Sequence, residues 1–209
     1  VSGRVSEILG RDDLRQIVLH IGNGASVSAV VNGSAVETSM GLTPLEGLVM
    51  GTRTGDIDPA VVFHLARTAG MDIDELDALF NRGSGLKGLT GQNDMRAVRT
   101  LAAEGDENAI EALAVYAHRI VKYIGAYAAI MGGLDAITFT AGAGENDADL
   151  RADVIGRLAG FGVKINADLN AARSKEPRIL STPDSTVAVL VVPTNEELAI
   201  ARQAMSLVE

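Results

Sequence analysis

Two glycine-punctuated segments carry the clearest chemical signal in this chain. His20-Ile21-Gly22-Asn23-Gly24 follows Ile17-Val18-Leu19, which reads as a buried strand. Gly142-Ala143-Gly144-Glu145-Asn146 follows a second strand-like run at residues 136–140 and opens a helical stretch. Glycine lets successive N–H groups converge on an anion, and a helix start adds partial positive charge. A lone glycine turn is most often only a tight turn. Two at strand ends in one domain point to a phosphate ligand.

Met50-Gly51-Thr52-Arg53-Thr54-Gly55-Asp56-Ile57-Asp58 sets polar side chains among glycines. Arg53 has the chemistry to spread charge on a phosphoryl group in transit, or to pair structurally with Asp56 or Asp58. Spacing leaves both roles open. Asp94-Met95-Arg96 places a carboxylate and a cation at a helix start, where an N-cap is the plainer reading. Thr194 and Glu197 fit a capping box, which leaves Glu196 either as a dipole partner or facing a metal or its water shell. His20 stands beside the first glycine turn, while His64 and His118 show no metal-ligand spacing with it. Gly83-Ser84-Gly85-Leu86-Lys87-Gly88 matches G-x-G-x-x-G but follows a helical stretch, so the dinucleotide reading lacks its strand.

The elements needed to hold these groups are legible in outline. Residues 26–31 and 35–38, joined by Asn32-Gly33, extend the first strand into a meander. Asp58-Pro59 starts a helix with Val62, Ala66 and Ala69 on one face, and Ile73, Leu76, Leu79 and Phe80 suggest another. Residues 81–91 read as a glycine-rich loop and residues 94–101 as a helix. Residues 106–131 form the longest element, with Ile110, Leu113, Ala117, Ile120, Ile124, Tyr127 and Met131 on an apolar stripe. That stripe suits a core helix or a subunit interface. A helix carrying Leu150, Val154, Leu158 and Phe161, an apolar strand at residues 186–192 and a closing helix with Leu198, Ala201, Met205 and Val208 complete the chain. The order implies an α/β domain with a mixed β-sheet flanked by helices, part hairpin and part parallel.

Bulk composition narrows the class. The chain has 209 residues, 47% hydrophobic and only 3% aromatic, so the core must be aliphatic. Its net charge of −9 and lack of a basic cluster exclude a nucleic-acid groove. With no cysteine there is no disulfide framework, thiolate metal site or Cys nucleophile. No run has the length of a membrane span, so the expectation is a cytoplasmic protein without a membrane partner. The start at Val1-Ser2-Gly3-Arg4 reads as mid-sequence.

Taken together, these segments resemble the acetate kinase (acetokinase) family of the sugar kinase/Hsp70/actin superfamily. The resemblance rests on the stretches at residues 20–26, 38–47, 50–59, 142–146 and 193–198, in family order, and the block from Thr38 to Pro59 is its most specific part. It implies an actin-like, ribonuclease-H-like lobe, the C-terminal one of two, over residues 1–209. It also implies magnesium-dependent transfer of the ATP γ-phosphate to acetate, giving acetyl phosphate and ADP, with manganese as a substitute metal. His20, Ile21, Gly22, Asn23 and Gly24 would touch the ATP phosphates, and Asp94, Met95 and Arg96 would lie near the nucleoside. Gly142, Ala143, Gly144, Glu145 and Asn146 would close over the adenosine side. Arg53 corresponds to the transition-state stabiliser, Glu196 to the magnesium-linked carboxylate and Pro44 to part of the acetate methyl pocket. Ala143 departs from the bulkier residue often found there. The resemblance further implies a homodimer, and an isolated lobe without turnover because the N-terminal catalytic groups lie elsewhere. Propionate kinase shares these motifs, and a non-catalytic nucleotide-binding module of the same superfamily is the alternative from another class.

Overall fold

Alternation of apolar and small polar residues makes the first strands. In the computed structural model, which describes residues 1–195, 200–201 and 204–205, β1 (Arg15–Ile21) pairs antiparallel with β2 (Ala25–Val31), Ile21 opposite Ala25. Then β3 (Ser34–Thr38) pairs with β2 across Asn32-Gly33. Asn32 (φ 50°) and Gly33 (φ 78°) are both left-handed, as a tight two-residue hairpin turn requires. The expected meander is present.

On the other side of β1 lies β4 (Ala136–Thr140), parallel to it. Beyond that come β6 (Ala188–Val191), parallel to β4, and the two-residue edge strand β5 (Arg178–Ile179). The sheet order is β3-β2-β1-β4-β6-β5. Every residue of β4 is buried, as a parallel strand covered on both faces should be. Strand periodicity sorts the two faces. Ile17, Leu19, Ile21, Ile137, Phe139, Val189 and Val191 join the main core, while Ala136 and Leu190 pack with Val5 of helix α1 (Ser2–Leu9).

The main core is capped by α6 (Glu107–Ile130), started by the Asp106 carboxylate, which accepts from the Ala109 amide at 2.8 Å. Ala117, Ile120, Ile124 and Tyr127 are buried there, so the core reading of this stripe is the one observed. Ile110 is instead exposed, because Ala109 and Ala112 take the inward positions in the first turns. The remaining helices are α2 (Ala60–Thr68), α3 (Ile73–Arg82), α4 (Gly85–Thr90), α5 (Met95–Ala103), α7 (Ala141–Asn146), α8 (Ala148–Gly156) and α9 (Ala167–Ala171).

Several expectations need correction. Residues 81–91 are not one loop: α3 runs to Arg82 and α4 fills Gly85–Thr90, its ends at left-handed Gly85 and Gly91. The second glycine turn is itself helical, as α7. The Asp58 carboxylate does cap α2, accepting from the Ala60 amide, yet α2 buries no residue; Ala66 and Ala69 are exposed. Phe161 is exposed in a short 3-10 turn after α8 rather than on its buried face. The closing helix lies mostly outside the described residues. In α1, β5 and α9 the chain has three further elements, all too short for periodicity to mark.

Arg151 on α8 is 1% exposed yet has no carboxylate partner among the described residues. Its guanidinium donates to Asn170 Oδ1 (2.7 Å), the Asn170 carbonyl (2.9 Å) and the Gly144 carbonyl (2.9 Å), so it ties α7 to α9. Burial, reinforced by nearby Arg178, pulls its pKa down to about 10, which leaves it charged at neutral pH. Replacing it orphans three buried acceptors. Arg151→Met is expected to cost about 3 kcal/mol in chemical denaturation, since each lost partner costs roughly 1–3 kcal/mol before relaxation.

Candidate active site

Parallel pairing brings the exits of β1, β4 and β6 to one edge of the sheet, with His20 in register with Thr140 and Phe139 with Val191. Ligands of open α/β sheets sit at such carboxyl ends. His20, Ile21, Gly22, Asn23 and Gly24 occupy the first exit, and Gly142, Ala143, Gly144, Glu145 and Asn146 the second, as α7. They are neighbours: a Cβ on Gly22 would stand 3.9 Å from Ala141 Cβ, and one on Gly144 would stand 3.6 Å from Ile21 Cβ. Within the first turn the Gly22 amide donates to the Gly24 carbonyl (3.1 Å). The Asn23 and Gly24 amides are left without an acceptor among the described residues.

Arg53 reaches the same place. The Gly51 amide donates to the Asn23 carbonyl at 2.9 Å, docking the Arg53 loop on the hairpin turn. A Cβ on Gly51 would collide with Asn23 Oδ1, and one on Gly24 would lie 3.2 Å from Arg53 Nη1. Arg53 pairs with neither Asp56 nor Asp58; among the described residues it forms no ion pair, and its Nη1 stands 3.7 Å from Met50 Sδ. Asp56 is used elsewhere. It accepts from Arg119 Nη1 (2.8 Å), the Tyr123 hydroxyl (3.0 and 3.1 Å) and the Gly47 amide (2.9 Å), which pins the loop to α6. Burial first, and then Asp56, push the Tyr123 hydroxyl well above its usual pKa.

The G-x-G-x-x-G segment also has a place here, as a brace. The Ser84, Leu86 and Lys87 amides donate to the Thr52, Met50 and Gly51 carbonyls at 3.0, 2.9 and 2.9 Å. Gly85 sits at φ 61°, where a Cβ would collide with the Met50 carbonyl. Sequence reasoning missed Arg119 and Tyr123, which lie more than sixty residues from Asp56 and belong to no local pattern.

The other assigned residues are placed as follows. Asp94 caps α5, accepting from the Arg96 amide at 2.9 Å, and Met95 packs against the core. The Arg96 guanidinium folds back onto Asp94, so these two side chains face each other. Their neighbour Asn93 reaches the site, since its carbonyl would lie 2.9 Å from a Cβ on Gly51. Pro44 is exposed on the loop between Ser39 and Gly47. Glu196 lies outside the described residues. Among the described residues no three His, Asp or Glu side chains converge to hold a metal.

The sheet order and the strand-exit site define an actin-like ATPase α/β fold. The chain matches the Acetokinase family over residues 1–202, and it belongs to that family. It is 62% identical over 210 residues to an acetate kinase from Leifsonia xyli subsp. xyli, covering all of this chain and 53% of that protein. Among solved structures it resembles Porphyromonas gingivalis acetate kinase at 42% identity and TM-score 0.96, covering 100% of this chain and 53% of that one. A propionate kinase from Francisella tularensis subsp. tularensis SCHU S4 is similar at 42% identity and TM-score 0.90, over 96% and 51% of the two chains. The chain thus spans about half the length of the curated relatives it matches.

Two outcomes follow from these contacts. Asp56→Ala leaves the Tyr123 hydroxyl without its acceptor and Arg119 with only the residue 56 carbonyl, which loosens the Arg53 loop from α6; a loss of about 1–3 kcal/mol in denaturant unfolding is expected. The bond from Arg96 draws the Asp94 carboxyl down to about 2. Because this folded pKa is depressed, the cap's contribution is present above the ordinary carboxylate pKa of about 4 and is lost as pH falls towards 2. An NMR titration of Asp94 with a midpoint near 4 would contradict the Arg96–Asp94 pairing.

Proposed function

We propose that this chain is the nucleotide-holding, C-terminal lobe, residues 1–209, of a cytoplasmic, homodimeric ATP:acetate phosphotransferase. The reaction moves the γ-phosphoryl group of ATP to acetate, giving acetyl phosphate and ADP, reversibly. The observation that carries it is Arg53: a guanidinium with no ion pair among the described residues, 3.2 Å from where a Gly24 Cβ would stand, beside two unpaired amides. A cation held free at a phosphate-type turn has charge to give to a ligand.

In this reading the acetate oxygen attacks the γ-phosphorus in line. The new O–P bond forms as the bond to the bridging β-oxygen breaks, and ADP leaves with that electron pair. Arg53 spreads the charge growing on the equatorial oxygens, and the Asn23 and Gly24 amides hold phosphate oxygens beside it. His20, Ile21 and Gly22 shape that turn. Residues 142–146 lie along the adenosine side and residues 94–96 near the nucleoside; Pro44 borders the acetate methyl group. Magnesium, held through Glu196 and the phosphates, would neutralise phosphate charge. The remaining catalytic groups belong to the other half of the longer protein, so this lobe alone is expected to bind nucleotide weakly and turn nothing over.

Family membership and the acetate kinase relatives support the acceptor assignment. Propionate is the second reading, favoured by similarity to the Francisella propionate kinase, and kcat/KM for the two acids on the full-length enzyme separates them. The test of the site is Arg53→Ala in the full-length protein. Nucleotide affinity should stay within about threefold while kcat falls about a thousandfold, the usual weight of such charge stabilisation. An unchanged kcat would favour a non-catalytic nucleotide-binding module.

A further inference from the structure

One carboxylate at the site is already committed to the protein. Glu145 Oε1 accepts from the Ala141 amide at 2.8 Å, the first residue after β4, and from the Thr194 amide at 3.2 Å, the third residue after β6. It ties the β4 exit directly to the β6 exit beyond the sheet's own ladder, where the Val192 amide donates to the Phe139 carbonyl (3.1 Å). Pro193 follows and has no N–H to give, so Thr194 is the next amide able to anchor the strand exit.

The backbone at the first of these amides is unusual. Ala141 sits at φ 64°, one of two non-glycine residues with positive φ among the described residues. Such a conformation persists only where the surroundings enforce it. The Glu145 oxygen does so by holding the Ala141 amide from four residues further on. The rest of α7 is fastened as well. The Gly142 carbonyl accepts from Asn146 Nδ2 (2.8 Å), the Ala143 carbonyl from the Asp147 amide (2.9 Å) and the Gly144 carbonyl from Arg151 (2.9 Å). Asp147 in turn holds Arg99 of α5 at 2.9 Å. A negative charge placed on two backbone amides next to an expected triphosphate makes a poor ligand contact and a good clasp.

We propose that Glu145 is a positioning residue rather than a nucleotide contact: its carboxylate clasps the β4 exit to the β6 exit, fixing the chain at Thr194, two residues ahead of Glu196. The kinetic part of this inference rests on the phosphotransferase reading; the structural part does not.

The experiment uses the full-length protein with Glu145→Ala and Glu145→Gln. Gln keeps an acceptor oxygen at the same place. In Glu145→Ala, hydrogen exchange at the Ala141 and Thr194 amides should quicken at least about tenfold, the worth of a lost charge-assisted bond. The Mg2+ concentration for half-maximal phosphotransfer should rise by about the same factor, with metal-free ADP affinity by equilibrium dialysis held within about threefold. Glu145→Gln should restore all three to within about threefold. Unchanged exchange at Thr194 in Glu145→Ala overturns the clasp. So does a tenfold loss of metal-free ADP affinity shared by both variants, which would make Glu145 a direct contact. If the protein phosphorylates no carboxylate at all, the phosphotransferase reading fails, while the exchange data still decide the clasp.

Discussion

The site depends on one close backbone approach, the Gly51 amide on the Asn23 carbonyl. It brings two segments nearly thirty residues apart into contact at the end of β1. No side chain fits at residue 51, because Asn23 Oδ1 and the Asn93 carbonyl occupy the space. From that contact Arg53 inherits its place beside the first glycine turn. Ser84 and the first turn of α4 then press on the loop from behind with three amides, and Asp56 fastens its far end to α6. The arginine is therefore aimed by its backbone, with no anionic side chain among the described residues consuming its charge. The transition-state role proposed for Arg53 would draw on that arrangement, since preorganised charge acts without reorganisation during a reaction.

Much of the frame was legible because it is periodic or locally encoded. The alternation in β1 and β2, the Asn32-Gly33 turn, the Asp58 and Asp94 caps and the core stripe of α6 all announce themselves within a few residues. The glycine turns were legible for the same reason, and the block around Arg53 was specific enough to name a family. What stayed hidden is non-local. Nothing near Asp56 signals that Arg119 and Tyr123 will claim it, so the choice between a paired and a free Arg53 needed the fold. The same holds for Arg151, whose acceptors are the backbone of α7 and both ends of Asn170.

Glycine spacing took its meaning only from the fold around it. Residues 83–88 look like a ligand loop because glycine tolerates close approach, yet the group that approaches Gly85 is the Met50 carbonyl. Glycine marks proximity without saying to what. Just before residues 142–146, the Ala141 amide at the strand end is satisfied by the Glu145 carboxylate.

The aliphatic character of the core has a practical corollary. The chain has no Trp, and its three tyrosines, Tyr116, Tyr123 and Tyr127, all lie on α6. Tyr116 is buried, Tyr123 and Tyr127 meet edge to face at 5.5 Å, and the Tyr123 hydroxyl rests on Asp56. Near-ultraviolet absorbance and emission from this lobe thus report mainly on one helix and its grip on the Arg53 loop. The polypeptide carries a built-in optical gauge of the segment that holds Arg53, and it is nearly silent about the hairpin on which that segment docks.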